Sequence, residues 1–262
     1  MLKLPILNYH GFESTPDEYP WAEDEIPYVL KIYQLSAQLD YLKENQFSTL
    51  KLDELGRWLK GSDQAKKPII VTFDDGLLSH FDYAVDNLRT RRFSGIFFVS
   101  TAMVGKKGYM DWPHLRQMTD EGFEIGSHGL NHIPLSSLNE TDLLEEVEVS
   151  KQMIEQAIAK EVRAFSVPRG FYHHRIQKAV RKAGYQYLFT SHFDINHVGQ
   201  NPLGLNRMVI KANTNFEEFK RFVRSELGMK RYLEKTKSLI RESVPPALYM
   251  RLAKMKQKFT SM

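Results

Sequence analysis

The feature that most limits the fold is an alternation. Short apolar or β-branched runs stand at Ile6–Tyr9, Pro68–Phe73, Gly95–Val99, Glu124–Ser127, Ala164–Val167 and Tyr187–Thr190. Helical patterns lie between them: Ile32–Glu44, with Leu35, Leu39 and Leu42 at helical spacing, then Leu115–Glu121, Glu140–Ile158 and Arg175–Ala183. Strands that alternate with helices are joined by crossovers and therefore run parallel, which predicts an α/β barrel or open sheet. A length of 262 residues is compatible with one such domain. No stretch approaches the 18 or so consecutive apolar residues of a transmembrane helix.

Polar residues just after the strands of a parallel barrel converge at its C-terminal face, where they read as catalytic more often than structural. Thr72-Phe73-Asp74-Asp75-Gly76 ends one strand. Two adjacent carboxylates repel if both stand bare, and a cation taking one of them leaves the other free as a base. The competing reading is a helix N-cap at Asp75, and the cluster alone favours that. Ser127-His128-Gly129-Leu130-Asn131-His132 ends another strand. Gly126 and Gly129 disfavour a regular helix, so a tight loop is expected to present both imidazoles. Asp75, His128 and His132 then supply three ligands, the count of a catalytic zinc-type site with one open position. Arg163-Ala164-Phe165-Ser166-Val167-Pro168-Arg169-Gly170 reads as a strand followed by a sharp turn whose N–H groups could face an oxyanion. A plain strand-to-helix loop with a solvated arginine is the alternative.

Taken in order, these clusters resemble the polysaccharide deacetylase family, the carbohydrate esterases with a NodB-type domain. The hallmarks T-F-D-D-G, H-[ST]-x-x-H or a close variant, and R-x-x-x-x-P-x-G occur as Thr72–Gly76, His128–His132 and Arg163–Gly170. The likeness covers roughly residues 4–222, leaving 223–262 as a basic helical extension. It implies a distorted, incomplete (β/α) barrel of about seven parallel strands. It also implies Asp74 as general base, Arg163 as the arginine that steadies it, and a divalent metal, zinc foremost, on Asp75, His128 and His132. Backbone around Pro168, Arg169 and Gly170 would meet the oxyanion, and Trp112 and Tyr172 could stack on sugar rings. The late histidine that many members use as general acid is missing from Leu203–Ile210. A branch with an early Tyr-His motif matches Tyr9-His10 instead, which points to His10 as the acid. His192 and His197 are weaker candidates.

The activity so implied is removal of acetyl groups, N-acetyl first, from a carbohydrate polymer or glycan precursor. Hydrolysis of a non-carbohydrate C–N bond, or glycan binding without catalysis, are the alternatives. With no cysteine, any transition metal must rest on His, Asp or Glu. The start does not read as a signal peptide, which predicts a cytoplasmic protein. Residues 220–262 hold 12 Lys/Arg against three Glu, a net of +9, so the remainder carries −5. Leu248, Leu252, Met255 and Phe259 recur at helical spacing there, the pattern of a helix lying on a membrane or packed on the barrel. The basic run has few interleaved aromatics and fits nucleic acid poorly.

Overall fold

A computed structural model of the chain describes residues 2–16, 18–62, 65–249 and 251–252. Its centre is a curled parallel sheet of seven strands: β1 (Ile6–Tyr9), β2 (Pro68–Phe73), β3 (Ile96–Val99), β4 (Glu124–Ser127), β5 (Ala164–Ser166), β6 (Tyr187–Phe189) and β7 (Met208–Val209). The order across the sheet is β6-β5-β4-β3-β2-β1-β7, each neighbour parallel. Among the described residues the outer strands β6 and β7 share no ladder, and Phe189 instead bridges to Leu205 ahead of β7, so the barrel stays open. The expected incomplete barrel is what forms. Its seventh strand is two residues long and has too little pattern to be read from sequence.

Helices α1 (Ile32–Glu44), α2 (Leu52–Leu59), α3 (Val85–Arg91), α4 (Trp112–Asp120), α5 (Glu140–Ile158), α6 (His174–Lys182) and α7 (Phe216–Val223) surround the sheet. Strand alternation splits each strand between two environments. Leu7, Tyr9, Ile69, Val71, Phe73, Phe97 and Val99 face the larger core under the helices. Ile6, Ile70, Ile96, Phe98 and Ala164 face the barrel interior, which α2 plugs from below with Leu52, Leu55, Trp58 and Leu59. Gly126 on β4 is needed there, because a Cβ would lie 2.5 Å from the Phe98 ring.

One rung higher, the inward register turns polar: Asn8, Thr72 and Ser166 follow Ile6, Ile70 and Ala164, and all three are buried. One further rung up β2's register is Asp74. The interior is thus an apolar plug with a polar upper layer, and the strands deliver side chains to the mouth at fixed height.

Residues 216–227 belong to the body, since Phe219, Phe222, Val223 and Leu227 join the larger core. A further helix, α8 (Gly228–Ser243), follows and ends just before Pro245-Pro246, where the sequence predicts a break. Of the predicted tail pattern, Met255 and Phe259 lie outside the described residues.

Beneath the mouth, a π-helical turn, His80–Ala84, buries His80 among Phe12, Phe73 and Phe97. Its Nε2–H donates to the His10 carbonyl at 2.8 Å, and its Nδ1 is buried without a partner. Burial pushes the imidazole pKa down to about 4. The unfolded chain takes up this proton below about pH 6.5, whereas the native chain does so only near 4. Stability is therefore complete above about 6.5 and falls as pH drops towards 4, with a contribution of about 3 kcal/mol. Urea unfolding of wild type and His80→Gln across this range should show a shallower pH slope for the variant; equal slopes would remove His80 from the account.

Candidate active site and metal centre

Asp74 and Asp75 leave β2 at the mouth, and the chain there turns through two left-handed residues, Asp75 at φ 81° and Gly76 at φ 78°. A left-handed aspartate is uncommon, and it costs energy that the surroundings must hold in place. The result is that the two carboxylates point in different directions. Asp75 Oδ1 lies 3.3 Å from His128 Nε2 and 3.0 Å from His132 Nε2. No cap forms at Asp75.

His128 follows β4 and is buried. Its Nδ1 lies 2.9 Å from the Ser166 carbonyl, which can only accept, so Nδ1 carries a proton and Nε2 is the atom turned towards Asp75 and His132. His132 reaches the same point from a left-handed position, φ 55°. The loop between them is pinned by Glu146 of α5. This buried carboxylate accepts from Leu130 N at 2.9 Å, Asn131 N at 3.0 Å and Asn131 Nδ2 at 2.5 Å. One potential ligand atom from each of Asp75, His128 and His132 lies within 4.8 Å of the other two. Two imidazoles and a carboxylate within reach of one point fit a divalent ion of the zinc type. Burial by itself would raise Asp75, but the two histidines outweigh it and hold the carboxyl well below its usual range.

Asp74 faces inward. Arg207 forks onto it, Nη1 to Oδ1 at 2.7 Å and Nη2 to Oδ2 at 2.8 Å. Asn8 Nδ2 and the Ser166 hydroxyl donate to Oδ2 at 3.1 and 3.2 Å. Burial would raise this carboxyl, but Arg207, with His128 behind it, brings it to about 2. Arg207 is fully buried. Its Nε donates to the Thr190 carbonyl, and its other N–H groups reach Thr72 Oγ1 and Ser166 Oγ besides the carboxylate.

The structure corrects the expectation for Arg163. That residue precedes β5 and so lies at the opposite end of the sheet from the mouth, about 10 Å below it at ~3.3 Å per residue. There it pairs with Asp53 and, at 3.6 Å, with Glu124. The arginine on Asp74 is Arg207, which comes from the segment between β6 and β7.

His10 sits just past β1, its ring 5.1 Å from that of Tyr28. Its Nδ1 is buried with no partner. Burial lowers its pKa, while Asp75 and Asp74 pull it upwards, which places the ring within electrostatic reach of both. Pro168, Arg169 and Gly170 form the tight turn after β5. Arg169 (φ 58°) and Gly170 (φ 69°) are left-handed, and Pro168 packs near Gly129 of the histidine loop. Arg169 pairs with Asp24 at 3.0 Å. Tyr172 is half-buried and meets the His192 ring edge-on at 5.3 Å. Trp112 opens α4 and packs on the main core. His197 lies on a short strand, Asn196–His197, paired with Lys3–Leu4.

Residues 61–188 match the family model described as Polysaccharide deacetylase. Over 228 residues the chain is 26% identical to YxkH of Bacillus subtilis, provisionally named a polysaccharide deacetylase, covering 85% of this chain and 77% of that protein. It is 29% identical over 150 residues to the peptidoglycan-N-acetylglucosamine deacetylase of Bacillus cereus, covering 52% of this chain and 68% of that protein. The fold resembles that of the Streptococcus pyogenes deacetylase PplD, solved with acetate, at a TM-score of 0.76 and 21% identity over 85% of this chain and 98% of that one. His10 and Arg207 lie outside the matched segment, at the two ends of the chain that the curled sheet brings back to Asp74. With the motifs in order, the open seven-stranded barrel and these relatives in agreement, residues 61–188 carry the domain of the polysaccharide deacetylase family.

Proposed function

We propose that this protein hydrolyses acetyl groups, N-acetyl foremost, from a carbohydrate polymer or glycan precursor, and that it does so with a divalent ion, zinc by its donor set. The observation that carries the reading is the division of labour between neighbours: Asp75 points to the two histidines, and Asp74 points to Arg207. Asp75, His128 and His132 would hold the cation, which when bound would supply a lowered pKa for water and polarisation of an acetyl carbonyl.

The chain's own residues do the rest. Asp74 is kept ionised by Arg207, Asn8 and Ser166, so it is available as general base throughout the neutral range and accepts the proton of the attacking water. The Pro168–Gly170 turn lies beside the histidine loop and offers backbone to the developing oxyanion. His10 follows β1 as Asp74 follows β2, the two strands pairing Tyr9 with Phe73, and it donates a proton to the leaving amine. Its unpartnered Nδ1 supports that role, because a buried ring nitrogen with no partner is otherwise an uncompensated cost. Tyr172 and Trp112, both half-buried, serve as sugar contacts in this reading.

The test is acetate release from short N-acetylglucosamine oligomers by metal-loaded protein. His10→Ala should lower kcat at least about 100-fold with little change in KM. A variant as fast as wild type would take the acid role away from His10, and no release by loaded wild type would sink the substrate class.

A further inference from the structure

Helix α8 is amphipathic in the reverse sense to the other helices. Its polar side faces the body: Ser238 is buried there, Lys230 pairs with Glu218, Arg231 with Asp194, and Glu242 with His192. The Arg241 guanidinium lies against Gly170, 3.0 Å from where a Cβ would stand. Its apolar side faces water. Met229 is 72% exposed, Tyr232 66%, Leu233 58%, Leu239 57% and Ile240 53%. At 3.6 residues per turn these five fall on about one-third of the circumference, with Lys235 and Lys237 at its two edges. Leu248 and Leu252, four apart in the helical residues that follow, are also exposed. Among the described residues, seven of the eleven large hydrophobics that stand exposed lie between 229 and 252. Such clustering marks a contact surface, not ordinary scatter.

Charge identifies what covers it. Residues 220–262 carry a net of +9, whereas the rest carries −5. A second copy of the chain would bring like charges together along the stripe. An anionic lipid surface attracts this side of the molecule and repels the other, and the flanking lysines can keep their ammonium groups among headgroups while their stems lie over the apolar stripe. No described helix is long and apolar enough to cross a membrane.

We propose that the outer face of α8, with the helical residues after it, lies in the headgroup region of an anionic phospholipid bilayer. The inner face of the same helix touches Gly170 and His192, so docking holds the mouth of the barrel about one helix diameter, ~10–12 Å, from the lipid.

Flotation of the full chain with vesicles tests this, using phosphatidylcholine alone or with about one-third phosphatidylglycerol. Wild type should bind the anionic vesicles at least about tenfold more than the neutral ones, and less as salt rises. Leu233→Ser with Ile240→Ser should cut binding about tenfold or more, and Lys235→Glu with Lys237→Glu should remove the preference for anionic lipid. These side chains are exposed, so thermal melting of each variant should match wild type. No binding to anionic vesicles, or binding indifferent to the Leu233 and Ile240 changes, would overturn the proposal. Self-association in solution that the serine changes abolish, without vesicle binding, would assign the surface to a second copy and overturn it equally.

Discussion

Arg207→Met should lower unfolding stability by about 3–5 kcal/mol, the range for breaking a buried pair from one side. The side chain is fully buried and forks onto Asp74, and its remaining N–H groups are taken by Thr190, Thr72 and Ser166. Methionine fills much of the same space but leaves the Asp74 carboxylate buried with only Asn8 and Ser166 beside it. Lysine should rescue little, because one ammonium cannot reproduce a planar fork. The diagnostic is non-additivity. Arg207→Met combined with Asp74→Leu removes both charges and should cost less than Arg207→Met alone. Urea midpoints of the metal-free proteins measure it. Costs that simply add would mean that the pair is not the unit the geometry describes.

Asp74→Asn should reduce kcat by about 10²–10⁴-fold while the metal content per chain stays at the wild-type level. The prediction follows from which carboxylate points where: Asp75 meets His128 and His132, and Asp74 meets Arg207. An asparagine oxygen can still accept from Arg207, so the fold has a partner for the guanidinium, but an amide cannot take a proton at neutral pH. If instead Asp74→Asn lost the metal, or kept its rate, the assigned roles of the two neighbours would be wrong.

The fold was largely legible because a parallel barrel repeats one local rule, and six of the seven strands carry it in runs of β-branched and aromatic residues. Met208–Val209 escaped because two residues hold no period, and α2 because its role as a plug depends on what lies above it. At the site, Asp74, Asp75, His128 and His132 stand together in two short motifs, and the structure brings them within reach of one another. Arg163 misled because proximity to a motif in sequence says nothing about which end of the strand a residue occupies. It stands before β5 and not after it, and the carboxylates at that end are Asp53 and Glu124. Arg207 carried no local mark, since its partner lies 133 residues away. Asn8 and Ser166 did leave a signal: each is a polar residue at an inward position of an otherwise apolar strand, Asn8 in register with Thr72. Glu146 could not be singled out from its acidic helix, because only the histidine loop folding onto it distinguishes it from Glu145 or Glu148.

The most direct measurement is acetate release from N-acetylglucosamine oligomers by the chain stripped of metal and then titrated with zinc. Activity should be near zero in the stripped protein, rise in proportion to added zinc, and level off at about one ion per chain, as a single site of three protein ligands requires. Stripped protein as active as the reloaded form, or reloaded protein releasing no acetate, would contradict the account.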